Sequence, residues 1–317
     1  MLAQRRRRPE QWSSREPFLG TLASLRCAAR SRRRQVAAEA AFFDELGRLE
    51  RQFTLFHEQS ELSRWRRGEI DTPSEHLLSL LRHGELWLAR SGGVLNPAVG
   101  VLAARWAAAD VEQSVPDPSE LAELALTISQ SRYHVAPDGS VLRLGSCAEL
   151  TFHSFAKGFL VDVAADAAVR AGAASVVANV GGDLVHLGDG RVIVHVEDPL
   201  RAYDNADPVA SVRFANRAMA TSGGSRRGVM IAGRSFSHVL DPRTGWPSEA
   251  VASASVVADS CMRADAIATI LSVLPPDEGL AFAALEGVAA LIIDPSGDQF
   301  ANREWTEIAV DRHSARA

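Results

Sequence analysis

The chain carries 34 basic residues and only one of them is lysine, Lys157, within Ala156-Lys157-Gly158. A composition so rich in Arg and Ala is what a GC-rich genome produces as it drains lysine codons, and Arg takes over wherever only charge is wanted. At a tight site the two differ, because Lys is a compact point charge on a flexible stem and Arg a planar fork. The surviving lysine is therefore a lead towards chemistry, with chance retention as the competing reading. Four other segments hold residue types that could act with it. In Asn179-Val180-Gly181-Gly182-Asp183, paired glycines permit positive φ and let backbone N–H groups approach an anion closely. The segment is not GxGxxG and no helix follows, which excludes a Rossmann phosphate loop; a plain tight turn competes. Ala220-Thr221-Ser222-Gly223-Gly224-Ser225 combines hydroxyls with glycines, as phosphate or ribose contacts require, or forms a loose polar loop. His238-Val239-Leu240-Asp241-Pro242-Arg243-Thr244-Gly245 reads as a rigid turn after a strand, with His238 at the strand's end, facing a cleft or satisfied within the structure. In Ala264-Asp265-Ala266-Ile267-Ala268-Thr269, Asp265 and Thr269 share one helical face. A carboxylate and a hydroxyl among small apolar neighbours suit a hard cation such as Mg²⁺, completed by carbonyls, waters and ligand phosphates. The competing reading is one Asp turned to solvent, against which a carboxylate among residues that want burial needs a partner.

The elements that must position these residues divide unevenly along the chain. Apolar periodicity predicts a helix over 36–53. Thr72-Pro73-Ser74-Glu75 reads as a capping box with Pro at the first helical position, opening a helix to about Arg90 that stops at Gly92-Gly93. Asp117-Pro118-Ser119-Glu120 repeats the signal for a helix to about Gln130, and Tyr133 to Leu144 reads as a hairpin around Asp138-Gly139. Further on, helices are expected over 155–171 and 261–274, and strands near 175–179, 183–186, 191–196, 209–215, 227–232, 234–240 and 289–293. Helices early and mainly antiparallel strands late predict an α+β fold, not a doubly wound parallel sheet.

Residues 1–34 hold ten Arg against Glu10 and Glu16, a charge of +8, so with −5 overall the remainder carries −13. We expect residues 1–17 to be a disordered basic arm and 18–317 one domain, with a soft subdivision near 148. The arm has little aromatic interleaving and the body is acidic, so no nucleic-acid partner is expected. Cys27, Cys147 and Cys261 are odd in number and far apart, which indicates neither a zinc site nor a disulfide framework. No apolar run is long enough for membrane insertion, and the expected location is cytoplasmic.

Taken together, these segments resemble the ApbE family, the FAD:protein FMN transferases, from about Gly20 to Ala290. Ser60-Glu61-Leu62-Ser63-Arg64 resembles the family's S-E-L-S-R. Gly93-Val94-Leu95-Asn96-Pro97-Ala98-Val99-Gly100 resembles G-x-F-D-P-T-V-G, and Ser154 to Asp162 resembles G-I-A-K-G-Y-x-x-D. Asn179 to Asp183 matches N-x-G-G-D, and the three later segments match the later blocks. The resemblance implies an ApbE-like fold with the FAD site in a cleft between the two halves. It implies that FAD, the substrate, is lined by Leu19, Phe56, Val94, Leu95, Asn96, Thr151, Lys157, Gly181, Gly182, Asp183, Thr221, Ser222 and Val239. Mg²⁺ would be held by Asp265, Thr269 and Ser154, the last through its backbone. The activity implied is transfer of FMN from FAD to a Thr or Ser hydroxyl in a short motif of an acceptor protein, with release of AMP.

Phosphoryl transfer depends on positioning and on neutralising charge at the phosphate oxygens. Mg²⁺ and Lys157 would supply the charge. A general base would take the acceptor's proton: His238, whose imidazole titrates near working pH, or in second place Asp241. The chain departs from the family pattern at Phe56, where a Tyr is usual, at Asn96 and Thr151, where Asp is usual, at His153-Ser154, and at Gly224. The alternatives are an FAD pyrophosphatase, if water replaces the acceptor, a non-catalytic FAD-binding relative, and a nucleic-acid binder acting through the basic arm.

Overall fold

The computed structural model describes residues 12–18, 20–201, 207–224 and 228–310. In its first half, helices α1 (Arg32–Phe53), α2 (Glu61–Arg66), α3 (Glu75–Arg90), α4 (Gly100–Glu112) and α5 (Pro118–Ile128) follow strands β1 (Ser13–Phe18) and β2 (Thr21–Ala29). A hairpin of β3 (Tyr133–Val135) and β4 (Val141–Arg143) leads to α6 (Ala156–Arg170). The second half is mostly strand: β5 (Ala173–Val180), β6 (Asp183–Gly188), β7 (Val192–Val196), β8 (Ala210–Phe214), β9 (Arg217–Ser222), β10 (Gly228–Ile231), β11 (Arg234–Ser237) and β12 (Ser253–Ala258). Helices α7 (Cys261–Leu271) and α8 (Pro276–Leu285), strands β13 (Ala289–Ile293) and β14 (Gln299–Ala301), and helix α9 (Arg303–Ile308) complete the chain. The fold is α+β, as the order of elements predicts.

Eight strands form one antiparallel sheet in the order β1-β2-β5-β6-β9-β12-β13-β14. Both faces are covered, and the strand period of two assigns side chains to them. Val176, Ala178, Val185, Ala218, Ala220, Ala254 and Val256 face the larger core, under α1, α6 and α7. Val177, Leu184, Met219, Val257 and Leu291 face a smaller core closed by the β7–β8 hairpin and Trp305 of α9. β12 is buried along its whole length, which erases the alternation that marks a half-exposed strand and leaves it unpredicted.

The arm expectation is corrected in part. Residues 13–17 belong to β1, which pairs with β2, because Phe18 can be buried at the sheet's edge and Arg15 lies over the Phe43 ring, 4.5 Å from its centroid. Residues 1–11 lie outside the described residues. The N-cap of α3 is Ser74, two residues after the predicted start, since Glu61 accepts from its backbone N–H at 2.6 Å and its hydroxyl at 2.8 Å. The signal at Asp117 holds, with Asp117 accepting from Ser119 N at 2.7 Å. Among the described residues no helix is long and apolar enough to cross a membrane.

Candidate active site

Helices α6 and α7 meet over the larger-core face of the sheet at their N-terminal ends. Gly158 allows this: a Cβ there would lie 2.4 Å from the Cys261 carbonyl oxygen and 2.7 Å from Met262 N. At this contact Gly158 N donates to Asp265 Oδ2 at 3.0 Å. One turn along α7, Thr269 Oγ1 donates to the Ser154 carbonyl at 3.1 Å. The spacing of four residues therefore puts Asp265 and Thr269 on one face, and that face meets the loop entering α6. Three oxygens gather there: the Asp265 carboxylate, the Thr269 hydroxyl and the Ser154 carbonyl.

Lys157 completes the cluster. Its Nζ lies 2.5 Å from Asp183 Oδ2. Asp183 opens β6 after a two-residue turn in which Gly181 and Gly182 take φ of +58° and +97°, the type of turn that suits tightly linked antiparallel strands. From there its side chain, wholly buried, points at α6. Lys157 and Asp183 form a close, charge-assisted ion pair inside the fold. Burial alone would lower the Lys157 pKa, but Asp265 and Asp183 together raise it. Burial pushes the Asp265 carboxyl well above the usual range, and the Asp183 charge pushes it further. Asp183 is also raised by burial, with Lys157 opposing. Two buried carboxyl groups thus face one ammonium, and Asp265, the one pushed up furthest, holds a proton where no cation balances it.

That arrangement, with an all-oxygen donor set, could receive a hard divalent cation in place of the proton. Among the described residues no group of three or more His, Cys, Asp or Glu is arranged to hold a metal, so a cation here would draw on hydroxyl and carbonyl oxygens beside a carboxylate. The residues fit Mg²⁺ held by Asp265, Thr269 and the Ser154 carbonyl.

The histidine block joins this cluster through hydroxyls. Ser248 N donates to the Val239 carbonyl at 2.8 Å, and Ser248 Oγ donates to Ser272 O at 3.0 Å. Ser272 Oγ donates to Thr269 O at 2.7 Å and lies 3.2 Å from Ser222 Oγ. Ser222, Val239 and Thr269 are therefore linked in space although spread over nearly fifty residues. His238 is exposed in the bend after β11. Asp241 is committed elsewhere: it receives two guanidinium bonds and the backbone N–H of Arg243, and its own backbone N–H and carbonyl organise the turn to Gly245. A carboxylate so engaged is poorly placed to take a proton.

Other expected positions fall differently. The side chains of Val94 and Leu95 are buried in the core, which leaves only their backbone for a ligand. Asn96 is buried too, donating to Ile128 O at 2.7 Å and accepting from Ala98 N at 2.8 Å; it caps a turn. Thr151 is half-buried, and its N–H donates to Pro97 O at 2.8 Å. Thr221 lies opposite Ser255 in the β9–β12 ladder, 2.8 Å between hydroxyls, on the sheet face away from Lys157. Phe56 is 99% exposed, so its ring is free of the core. Leu19 lies outside the described residues. A cleft of about 400 Å³ separates the Gly92-Gly93 loop and Asn96 from α5 and the Pro242–Thr244 turn. Sequence reasoning gave Asp162 no role. It accepts from Cys261 N at 2.8 Å and Met262 N at 2.9 Å, and burial, opposed by these bonds, raises its pKa to about 6. Its place in the motif containing Lys157 was the available signal.

By fold, the molecule is an α+β protein like the solved ApbE protein of Thermotoga maritima, with a TM-score of 0.83 at 21% identity over 95% of this chain and 100% of that one. A model of the ApbE family matches residues 19–292, and the chain belongs to that family. It is similar to the FAD:protein FMN transferase of Treponema pallidum, 28% identical over 314 residues, 92% of this chain and 86% of that protein. It is also similar to the FAD:protein FMN transferase of Rhodobacter capsulatus, 32% identical over 238 residues, covering 72% of this chain and 44% of that protein's length.

Proposed function

We propose that this protein transfers FMN from FAD to a Thr or Ser hydroxyl of an acceptor protein. The observation that carries this is the single cluster in which Lys157, Asp183, Asp265, Thr269 and the Ser154 carbonyl meet, joined through Ser272 and Ser248 to the histidine block. Family membership gives the cluster its substrate, since the relatives are named for FAD and FMN.

In the step proposed, the acceptor oxygen forms a bond to the FMN phosphorus. The pyrophosphate bond breaks, and AMP leaves with the bridging oxygen. His238, exposed in the bend after β11, takes the hydroxyl proton, imidazole being the side chain most often used as a general base. Lys157, kept charged by its two carboxylates, opposes negative charge on the phosphate oxygens. Asp265, Thr269 and the Ser154 carbonyl would hold Mg²⁺. When bound, Mg²⁺ neutralises pyrophosphate oxygens and steadies the leaving group.

Co-expression with a flavin-acceptor domain, followed by mass spectrometry, is expected to show the mass of one FMN on the acceptor. His238→Ala is expected to keep FAD binding and lose most of that transfer. An acceptor that stays unmodified while AMP accumulates would replace transfer by hydrolysis; transfer undiminished in the variant would remove His238 as the base.

A further inference from the structure

The two helices that build the cluster cap one another. The N-cap residue of α6, Phe155, makes no side-chain cap, and the N–H of Gly158 is satisfied by Asp265 from α7. In return Asp162, on α6, takes the N–H groups of both Cys261 and Met262 in the first turn of α7, one on each carboxylate oxygen. A helix N-terminus leaves such donors unsatisfied by itself, so each helix depends on the other's carboxylate. Met262 lies three residues before Asp265, on the same rigid turn. Sliding or rotating α7 would therefore break the Asp162 bonds and pull Asp265 away from Gly158 together.

We propose that Asp162 is a positioning residue which, by holding both N–H groups of the first turn of α7, sets the placement of Asp265 and Thr269 and hence the affinity for a divalent cation. This rests on the reading that Asp265 and Thr269 hold that cation. Partners one step removed from a metal ligand affect metal affinity by about 10- to 100-fold.

The test is Asp162→Asn, with Mn²⁺ as the probe and its binding read by electron paramagnetic resonance, independently of transfer. The amide matches the carboxylate in shape but presents its NH₂ to one of the two donors. Mn²⁺ affinity is expected to fall about 10-fold or more, and the Mg²⁺ concentration for half-maximal transfer to rise by a similar factor, with the rate at saturating Mg²⁺ little changed. A lower melting temperature with unaltered Mn²⁺ affinity would overturn the proposal, since Asp162 would then be a cap and no more. If the Asn variant does not fold, Gly158→Ala perturbs the same contact from the other side. The same loss of Mn²⁺ affinity is expected of it, and unchanged affinity would overturn the proposal equally. Wild-type protein that binds no Mn²⁺ would instead sink the functional reading.

Discussion

Lys157 stays charged in a place where burial works against it, because two carboxylates face it. The relation is reciprocal: without the ammonium, Asp183 and Asp265 would be left buried side by side with no opposite charge. Breaking a buried ion pair by removing one partner costs about 3–5 kcal/mol. Lys157→Met should therefore destabilise the fold by that order in urea denaturation, and adding Asp183→Asn should recover a substantial part by removing one orphaned charge. A double variant no more stable than the single would show that the lysine acts through packing. Lys157→Arg should not replace the wild type, since the space beside Asp183 receives a compact ammonium at 2.5 Å and a planar fork needs a different shape. The chain's bias against lysine thus has a physical exception at this one position.

At the scale of elements, the α6–α7 contact carries its own pH signature. Asp162 titrates at about 6 in the folded protein and at about 4 in an unfolded chain. Between these values the folded state holds a proton that the unfolded state has released. The contribution of this group is complete below about pH 4 and is lost as pH rises through about 6. Urea denaturation across pH 4 to 7 should show wild type losing stability relative to Asp162→Asn as pH rises; parallel curves would mean that the carboxyl titrates near its ordinary value. This contact also marks where the sequence stopped being legible. The Asp265–Thr269 face and the Gly181-Gly182 turn could be read because their geometry is local, a helical period or a two-residue turn. The bonds from Asp162 to α7 span about a hundred residues, and no local pattern announces them. Val94 and Leu95 lie on the expected loop, but position does not say which way a side chain points, and apolar groups turn to the core. Thr221 lies on β9, a strand not anticipated in the sequence, so the parity that sends its hydroxyl to the far face could not be read. β2 was obscured by the arginines around it.

Across the whole molecule, the cluster joins segments from Ser154 to Thr269 through the larger core, so occupancy of the site is tied to the stability of the fold. A ligand that binds only the folded state stabilises it by about 2.7 kcal/mol at 100 times its dissociation constant. In the absence of a cation the same site is a burden, because burial and the Asp183 charge push the Asp265 carboxyl up, and folding at neutral pH must then draw a proton onto a group that the unfolded chain leaves ionised. Asp265→Asn removes that proton uptake and retains an oxygen for the Gly158 N–H, while Lys157 and Asp183 still balance each other. The expected result in calorimetry at pH 7 is a reversal. In EDTA, Asp265→Asn should melt at or above the wild type. In excess MgCl₂ the wild type should rise by a few degrees and overtake a variant that does not respond, with FAD extending the difference. A variant much weaker than wild type in EDTA, yet equally stabilised by Mg²⁺, would mean that Asp265 is part of the scaffold and that the cation sits elsewhere. The predicted order follows from two buried carboxyl groups facing one ammonium: a site that must keep Asp265 protonated spends stability until its ligand arrives.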